Sequence, residues 1–265
     1  MGWFSDALFR LRHPDAPQLS IAGDTGGGPV IVMLHGIASA SSTFQNLVPL
    51  LEDRYRCITI DLLGFGQSPS PEGAQYTVAE HVIAIEATLR SLKLREPFVL
   101  VGHSLGALLG ARYAAQHPGQ VQQLVLVSPP VYLPPEEIGD PVAKAHVGGY
   151  LRLYEFLRTN KDFTIGVAPH LARIFNLGDM LDVTDRNWNA FVLSLQHCIE
   201  SQTTISDIAA VRAPIDVVYG ALDQFIAPGT LRIIEQMRHV RMHRVELNDH
   251  IMRPRLARAV AEVIG

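Results

Sequence analysis

Apolar residues along the chain fall into short runs, separated by longer stretches in which they recur every three or four positions. The runs Val30–His35, Cys57–Asp61, Phe98–Gly102, Leu124–Ser128, Ile215–Gly220 and Met242–Leu247 are strand-sized and rich in Val, Ile and Leu. Most are apolar at successive positions, as strands are when both faces of a sheet are covered. The stretches Thr43–Glu52, Thr77–Leu94, Leu105–His117, Gly229–Arg238 and Pro254–Val263 carry helical spacing. Strand and helix in repeated alternation predict an α/β fold with a mostly parallel, doubly wound sheet flanked by helices.

One connection breaks this rhythm. More than 80 residues separate Pro130 from the strand at Ile215, too many for a structureless loop in a compact domain. Helical texture at Tyr150–Leu157 and again at Arg186–Leu195 predicts a small helical cap over residues 134–207, inserted into a core made of 1–133 and 208–265. Ser128-Pro-Pro-Val-Tyr-Leu-Pro-Pro marks where the insertion begins and Ala213-Pro214 where it has ended. Tyr150, Phe156, Trp188 and Phe191 are expected mostly in its core. The N-terminal MGWFSDALFRLRHPDAP lacks the basic head, apolar stretch and cleavage site of a secretory signal. Asp6 stands where a myristoylation signal needs Ser or Thr. Trp3, Phe4, Leu8 and Phe9 make a short amphipathic turn, expected to dock on the body of the protein.

Composition narrows the functional classes. Of 265 residues, 48% are hydrophobic and 18% charged, so the chain can bury enough surface to order itself. Lys plus Arg total 22 against 26 Asp plus Glu, a net charge of −4 that disfavours nucleic acid as a partner. No apolar run approaches the roughly 18 residues of a membrane-spanning helix. Cys57 and Cys198 make neither a disulfide framework nor a thiolate metal site. Both are expected to be reduced and buried, which makes the cytoplasm the expected compartment. No H-E-x-x-H or Cys/His cluster suggests a metal. The loop Asp61–Ser68 has Gly64 and Gly66 but lacks the third glycine of a dinucleotide fingerprint. No cofactor is expected.

The strongest chemical signal is Gly102-His103-Ser104-Leu105-Gly106, between the strand at Phe98 and the helix at Leu105. A serine on so tight a strand-to-helix turn projects its hydroxyl out of the turn, and glycines two residues to either side avoid crowding it. A serine hydroxyl needs a base. His250 follows the last strand in Asn248-Asp-His-Ile, so its loop can reach the sheet edge that bears Ser104. A third group must orient the imidazole. Asp223, in Tyr219-Gly-Ala-Leu-Asp-Gln, lies just past the carboxyl end of the strand at Ile215. Asp249 is its nearest rival. His103 flanks the nucleophile, and next-door geometry points it away from the hydroxyl, so its expected role is structural. His35-Gly36 ends the first strand, and the backbone N–H groups of Ile37 and Leu105 are the expected oxyanion donors.

In these motifs, taken in order, the chain resembles the α/β-hydrolase family over residues 18–265. They are His35-Gly36, Asp61-Leu-Leu-Gly-Phe-Gly-Gln-Ser68, Gly102-His-Ser-Leu-Gly106, Gly220-Ala-Leu-Asp223 and Asp249-His250. The resemblance implies the chain order Ser104, Asp223, His250 for the triad and a cap that covers the site and shapes its pocket. It implies a serine hydrolase without cofactor that cleaves a small to medium apolar carboxylic ester. Alternatives are a carbon–carbon or thioester hydrolase with the same triad, or a ligand receptor on the hydrolase fold. Ser104 excludes relatives with an aspartate nucleophile. His103 and Ile251 stand where carbon–carbon hydrolases usually carry Asn and Trp, which argues against that branch. Residues before Pro29 depart from the family pattern, whose opening hairpin would be short here.

Overall fold

In the computed structural model, residues 3–133, 138–174, 182–201, 203–226 and 228–265 are described. Strands β1 (Ile21–Thr25), β2 (Val30–Leu34), β3 (Arg56–Ile60), β4 (Phe98–His103), β5 (Val121–Val127), β6 (Ile215–Gly220) and β7 (Val240–Val245) form one sheet in the order β1-β3-β2-β4-β5-β6-β7. β1 pairs antiparallel with β3 and every other pairing is parallel. The six strands expected from sequence are present. β1 is additional: its exposed Ile-Ala-Gly-Asp-Thr has no apolar run to announce it. β5 starts earlier than expected because Gln122 and Gln123 hide its first turn of pleat from a hydrophobic pattern.

Alternate residues of the central strands feed two cores. Val32, Leu34, Ile58, Leu100, Leu124 and Leu126 pack on one side, with helices α3 (Val78–Ser91) and α4 (Leu105–Gln116). Ile31, Met33, Val99, Val101, Val125 and Val127 pack on the other, against α2 (Val48–Leu51) and Leu256, Ala257 and Val260 of the C-terminal helix. Both faces are therefore covered, which is why the strands read as unbroken apolar runs. α3 begins with a capping box in which Thr77 Oγ1 accepts from Glu80 N and the Glu80 carboxylate accepts from Thr77 N.

The helix expected over Thr43–Glu52 is two pieces, a 3₁₀ turn at Ser41–Phe44 and the short α2. Pro49 has no N–H and its ring excludes a helical carbonyl four residues earlier, so one helix cannot run through. The N-terminal helix α1 (Trp3–Arg12) docks by Phe9, which is buried with the Arg90 guanidinium 4.9 Å over its ring. Leu8 and Leu11 stay exposed, and the side chains of Trp3 and Phe4 lie outside the described residues.

Between β5 and β6 come helices α5 (Pro141–Thr159), α6 (Lys161–Ile174) and α7 (Trp188–Ser194), a π-helical turn at Leu195–Ile199, and α8 (Thr204–Ala210). Pro134 and Pro135, at the expected start of the insertion, lie outside the described residues. Phe191 and Tyr154 are buried, but Phe156, expected in the core, is 46% exposed and edge-on to Phe163. Helices α9 (Pro228–Glu235) and α10 (Pro254–Ile264) complete the chain.

Helix α4 lies against β2 and β4 closely enough to test. A Cβ on Gly106 would enter the van der Waals envelope of the Leu34 and His35 carbonyl oxygens, whereas one on Gly110 would sit 3.6 Å from Leu100 Cδ2 and Leu124 Cδ1. The first obstacle is backbone of a central strand and cannot yield. Gly106→Ala is expected to destabilise by about 3 kcal/mol. Gly110→Ala is expected to stabilise by up to about 1 kcal/mol through helix propensity. Urea denaturation of the two variants checks the opposite signs.

Candidate active site

The chain runs from β2 outward to β3 and then returns to β4 on the other side of β2. At such a reversal a crevice opens outside the carboxyl ends of parallel strands. Leu34 pairs with Gly102 across β2 and β4, so His35-Gly36 and His103-Ser104 leave the sheet side by side.

Ser104 takes φ 53° and ψ −118°, a conformation sparsely populated by residues other than glycine and costing about 1–3 kcal/mol. It is held from both sides. Its N–H donates to Val127 O at 3.0 Å, and its carbonyl accepts from Ala107 N at 2.9 Å. A Cβ on Gly36 would lie 3.0 Å from Ser104 Cβ and 3.5 Å from its Oγ, so glycine at 36 leaves the hydroxyl its space.

Asp223 and His250 come together as the sequence order implies. Gly220 pairs with Val245, the Ala221 N–H donates to Val245 O, and the Leu222 N–H donates to Asn248 O. These bonds bring the β6 and β7 loops against each other. His250 Nδ1 lies 2.9 Å from Asp223 Oδ2 and 3.0 Å from Oδ1. The Asp223 carboxylate also accepts from Phe225 N at 2.9 Å. Burial pushes this carboxyl up, but the charge and hydrogen bond of His250 and the Phe225 N–H outweigh it and hold it below the usual carboxylate range. With Nδ1–H given to a carboxylate, the Nε2 of neutral His250 is a free lone pair. The rival Asp249 is engaged elsewhere: its carboxylate takes Arg253 at 2.8 Å and the Ile251 N–H at 3.1 Å. Among the described residues, Ser104 Oγ makes no hydrogen bond to His250. Such contacts are commonly long before substrate binds.

The two expected oxyanion donors, Ile37 N–H and Leu105 N–H, have no acceptor among the described residues. The peptide carrying the first is fixed by His35, which is fully buried. His35 Nε2 accepts from Leu62 N at 2.9 Å, so the ring proton is on Nδ1 and is donated to Gly36 O at 2.7 Å. In a planar trans peptide, holding the Gly36 carbonyl toward His35 turns the Ile37 N–H the opposite way. Burial pushes His35 down to about 4, against the Gly36 carbonyl and Asp61, which favour the charged form.

The loop Asp61–Ser68 borders this region. Asp61 accepts from Ser41 N at 2.9 Å, Ser41 Oγ at 2.7 Å and Gln67 N at 2.9 Å, which ties the loop to the segment after Ile37. Among the described residues, no three His, Cys, Asp or Glu side chains gather as a metal-ligand set, and no helix is long and apolar enough to cross a membrane.

Two contacts had no sequence signal. The Tyr132 hydroxyl donates to Phe225 O at 2.9 Å and lies 3.2 Å from the Tyr154 hydroxyl, while the Tyr150 hydroxyl donates to Gln224 O. Tyr132 and Tyr150 thus hold the loop that carries Asp223, and the Phe225 ring stands edge-on to His250 at 4.8 Å. The other contact is His103 Nε2 to His250 O at 2.8 Å. The bonds to Phe225, Gln224 and His250 join residues more than 70 positions apart, and hydrophobic pattern does not register such pairs.

A family profile described as the alpha/beta hydrolase fold matches residues 29–252. The chain is similar to "Probable lysophospholipase BODYGUARD 2" of Arabidopsis thaliana, 37% identical over 113 residues, covering 41% of this chain and 24% of that protein. It is 31% identical over 164 residues to 2-(acetamidomethylene)succinate hydrolase of Mesorhizobium japonicum, covering 62% of this chain and 58% of that protein. The chain thus spans about a quarter of the first relative and somewhat over half of the second. Among solved structures, the thioesterase domain from the curacin biosynthetic pathway superposes with a TM-score of 0.66 at 21% identity, covering 94% of this chain and 99% of that one. That likeness concerns the fold alone.

Proposed function

Since the chain belongs to the α/β-hydrolase fold family, we propose that it is a serine hydrolase acting on a small to medium apolar carboxylic ester through an acyl-enzyme. The observation that carries this reading is the Asp223–His250 pair at 2.9 Å, on the same sheet edge as a serine held in a strained turn. In this reading Ser104 Oγ attacks the acyl carbon and its proton passes to His250 Nε2. The carbonyl oxygen, now carrying the electron pair of the broken π bond, is met by Ile37 N–H and Leu105 N–H. Collapse of the tetrahedral intermediate expels the alcohol, which takes the proton from His250. Water then repeats the sequence on the acyl-serine and releases the acid. Asp223, held ionised by its low pKa, stabilises the imidazolium throughout.

Residues 134–207 serve as the cap; what supports this is Tyr150, which bonds Gln224 O and packs at 5.8 Å on Phe225, the ring that stands edge-on to His250. No cofactor enters the scheme. Two free, buried cysteines suit a reducing, cytoplasmic setting.

The test is labelling with a fluorophosphonate probe followed by peptide mapping. The label is expected on Ser104 and nowhere else, and to be lost in Ser104→Ala. An unlabelled native protein sinks the proposal. A panel of p-nitrophenyl esters, an acyl-CoA and a vinylogous diketone then separates ester from thioester and carbon–carbon cleavage, which the same three groups could serve.

A further inference from the structure

His103, next to the nucleophile in sequence, touches the loop of the base. Its Nε2 lies 2.8 Å from the carbonyl oxygen of His250, and the two rings pack with centroids 5.1 Å apart and planes at 48°. A carbonyl only accepts, so the proton is on Nε2 and Nδ1 carries the lone pair. That Nδ1 is buried and, among the described residues, has no hydrogen-bond partner. On its other side the ring meets the oxyanion segment: a Cβ on Gly36 would lie 3.3 Å from His103 Nδ1.

An unpartnered buried acceptor is destabilising, and a residue that served only to fill space could avoid it. A leucine or methionine would fill a similar volume without the orphan atom. What these lack is a donor fixed at the distance of a histidine Nε2. Asn248 Nδ2 also supports this loop from inside, donating to the carbonyls of Asp249 and Ile251. The carbonyl of His250 itself is held by His103.

We propose that His103 is a positioning residue, which sets the backbone and ring of His250 relative to Ser104 by donating a hydrogen bond from Nε2 to the His250 carbonyl. This rests on the serine-hydrolase reading and deepens it: the residue before the nucleophile ties the nucleophile's strand to the base's loop. Burial keeps the ring neutral, pushing it down to about 3, so it takes up no second proton over the range where esters are assayed. The donor acts through His250 and not on substrate, so its loss should appear in turnover and leave KM unchanged.

The experiment compares His103→Leu, which removes the donor, with His103→Gln, whose amide N–H reaches about as far as Nε2. The readouts are the second-order rate of fluorophosphonate labelling, and kcat and KM on a p-nitrophenyl ester. His103→Leu is expected to label about 10²-fold more slowly, the scale of a misplaced catalytic group, with kcat lowered in step and KM unchanged. His103→Gln is expected to recover most of the loss. If His103→Leu does not fold, His103→Met replaces it. A Leu or Met variant that labels as fast as native overturns the proposal. So does a Gln variant as slow as Leu, because shape rather than the donor would then be what matters. A native protein that does not label at all instead overturns the hydrolase reading on which the proposal rests.

Discussion

Replacing Ser104 by alanine is expected to lower ester turnover about 10⁶-fold, and adding His250→Ala to that variant is expected to cost almost nothing more. Nucleophile and base act as one unit in such a mechanism, so either single loss removes nearly the whole contribution of the pair. Asp223→Asn is expected to fall between, at about 10⁴-fold. The amide keeps the shape of the carboxylate but neither accepts both Nδ1–H contacts at 2.9 and 3.0 Å nor stabilises the imidazolium. The backbone N–H groups of Ile37 and Leu105 survive in all these variants, so residual catalysis above the buffer rate remains. Steady-state rates of the three single variants and the Ser104/His250 double variant provide the check. If the two single losses add on a logarithmic scale, Ser104 and His250 are not working on the same proton.

The sheet was legible because burial on both faces writes itself into sequence as consecutive Val, Ile and Leu, and six strands were placed on that signal. β1 escaped because it is an exposed edge strand of Ile-Ala-Gly-Asp-Thr, stabilised by antiparallel pairing and not by apolar content. The expected helix over Thr43–Glu52 failed on a local rule that outranks periodicity: Pro49 cannot continue a helix it did not start. That Ser104, Asp223 and His250 lie at one sheet edge was legible for a different reason. Each follows a recognisable strand by a few residues, and a parallel sheet brings those ends to one edge. What escaped is the scaffolding between loops. His35 binding Gly36 O and Leu62 N, His103 binding His250 O and Tyr132 binding Phe225 O are hydrogen bonds to backbone atoms. Such bonds place no demand on the identity of the partner residue, so one end of each is silent in sequence.

Stability is expected to fall steeply as pH drops below about 6.5, because three buried histidines refuse protons that the unfolded chain accepts. His35, His81 and His103 are pushed by burial from 6.5 down to about 4, 3 and 3 respectively. His81 is enclosed against Ser194 Oγ at 3.1 Å, and its Nδ1 is unpartnered among the described residues. In the unfolded chain each of these rings protonates near its ordinary value. Between that value and the folded one, the unfolded state binds more protons, so the stability they confer is present above about 6.5 and is lost progressively on acidification. One such proton is worth about 1.4 kcal/mol per pH unit, so three give about 4 kcal/mol per unit. A domain stable by about 5–15 kcal/mol then unfolds within a few pH units. Asp216, Asp223 and Glu86, all held below the usual carboxylate range, add a loss of the same sign at lower pH. Urea midpoints at about pH 7.5, 6 and 5 measure the slope, and equal midpoints at the two ends would refute it. His81→Gln offers Ser194 a hydrogen bond without a titrating ring, and is expected to flatten the slope by about a third.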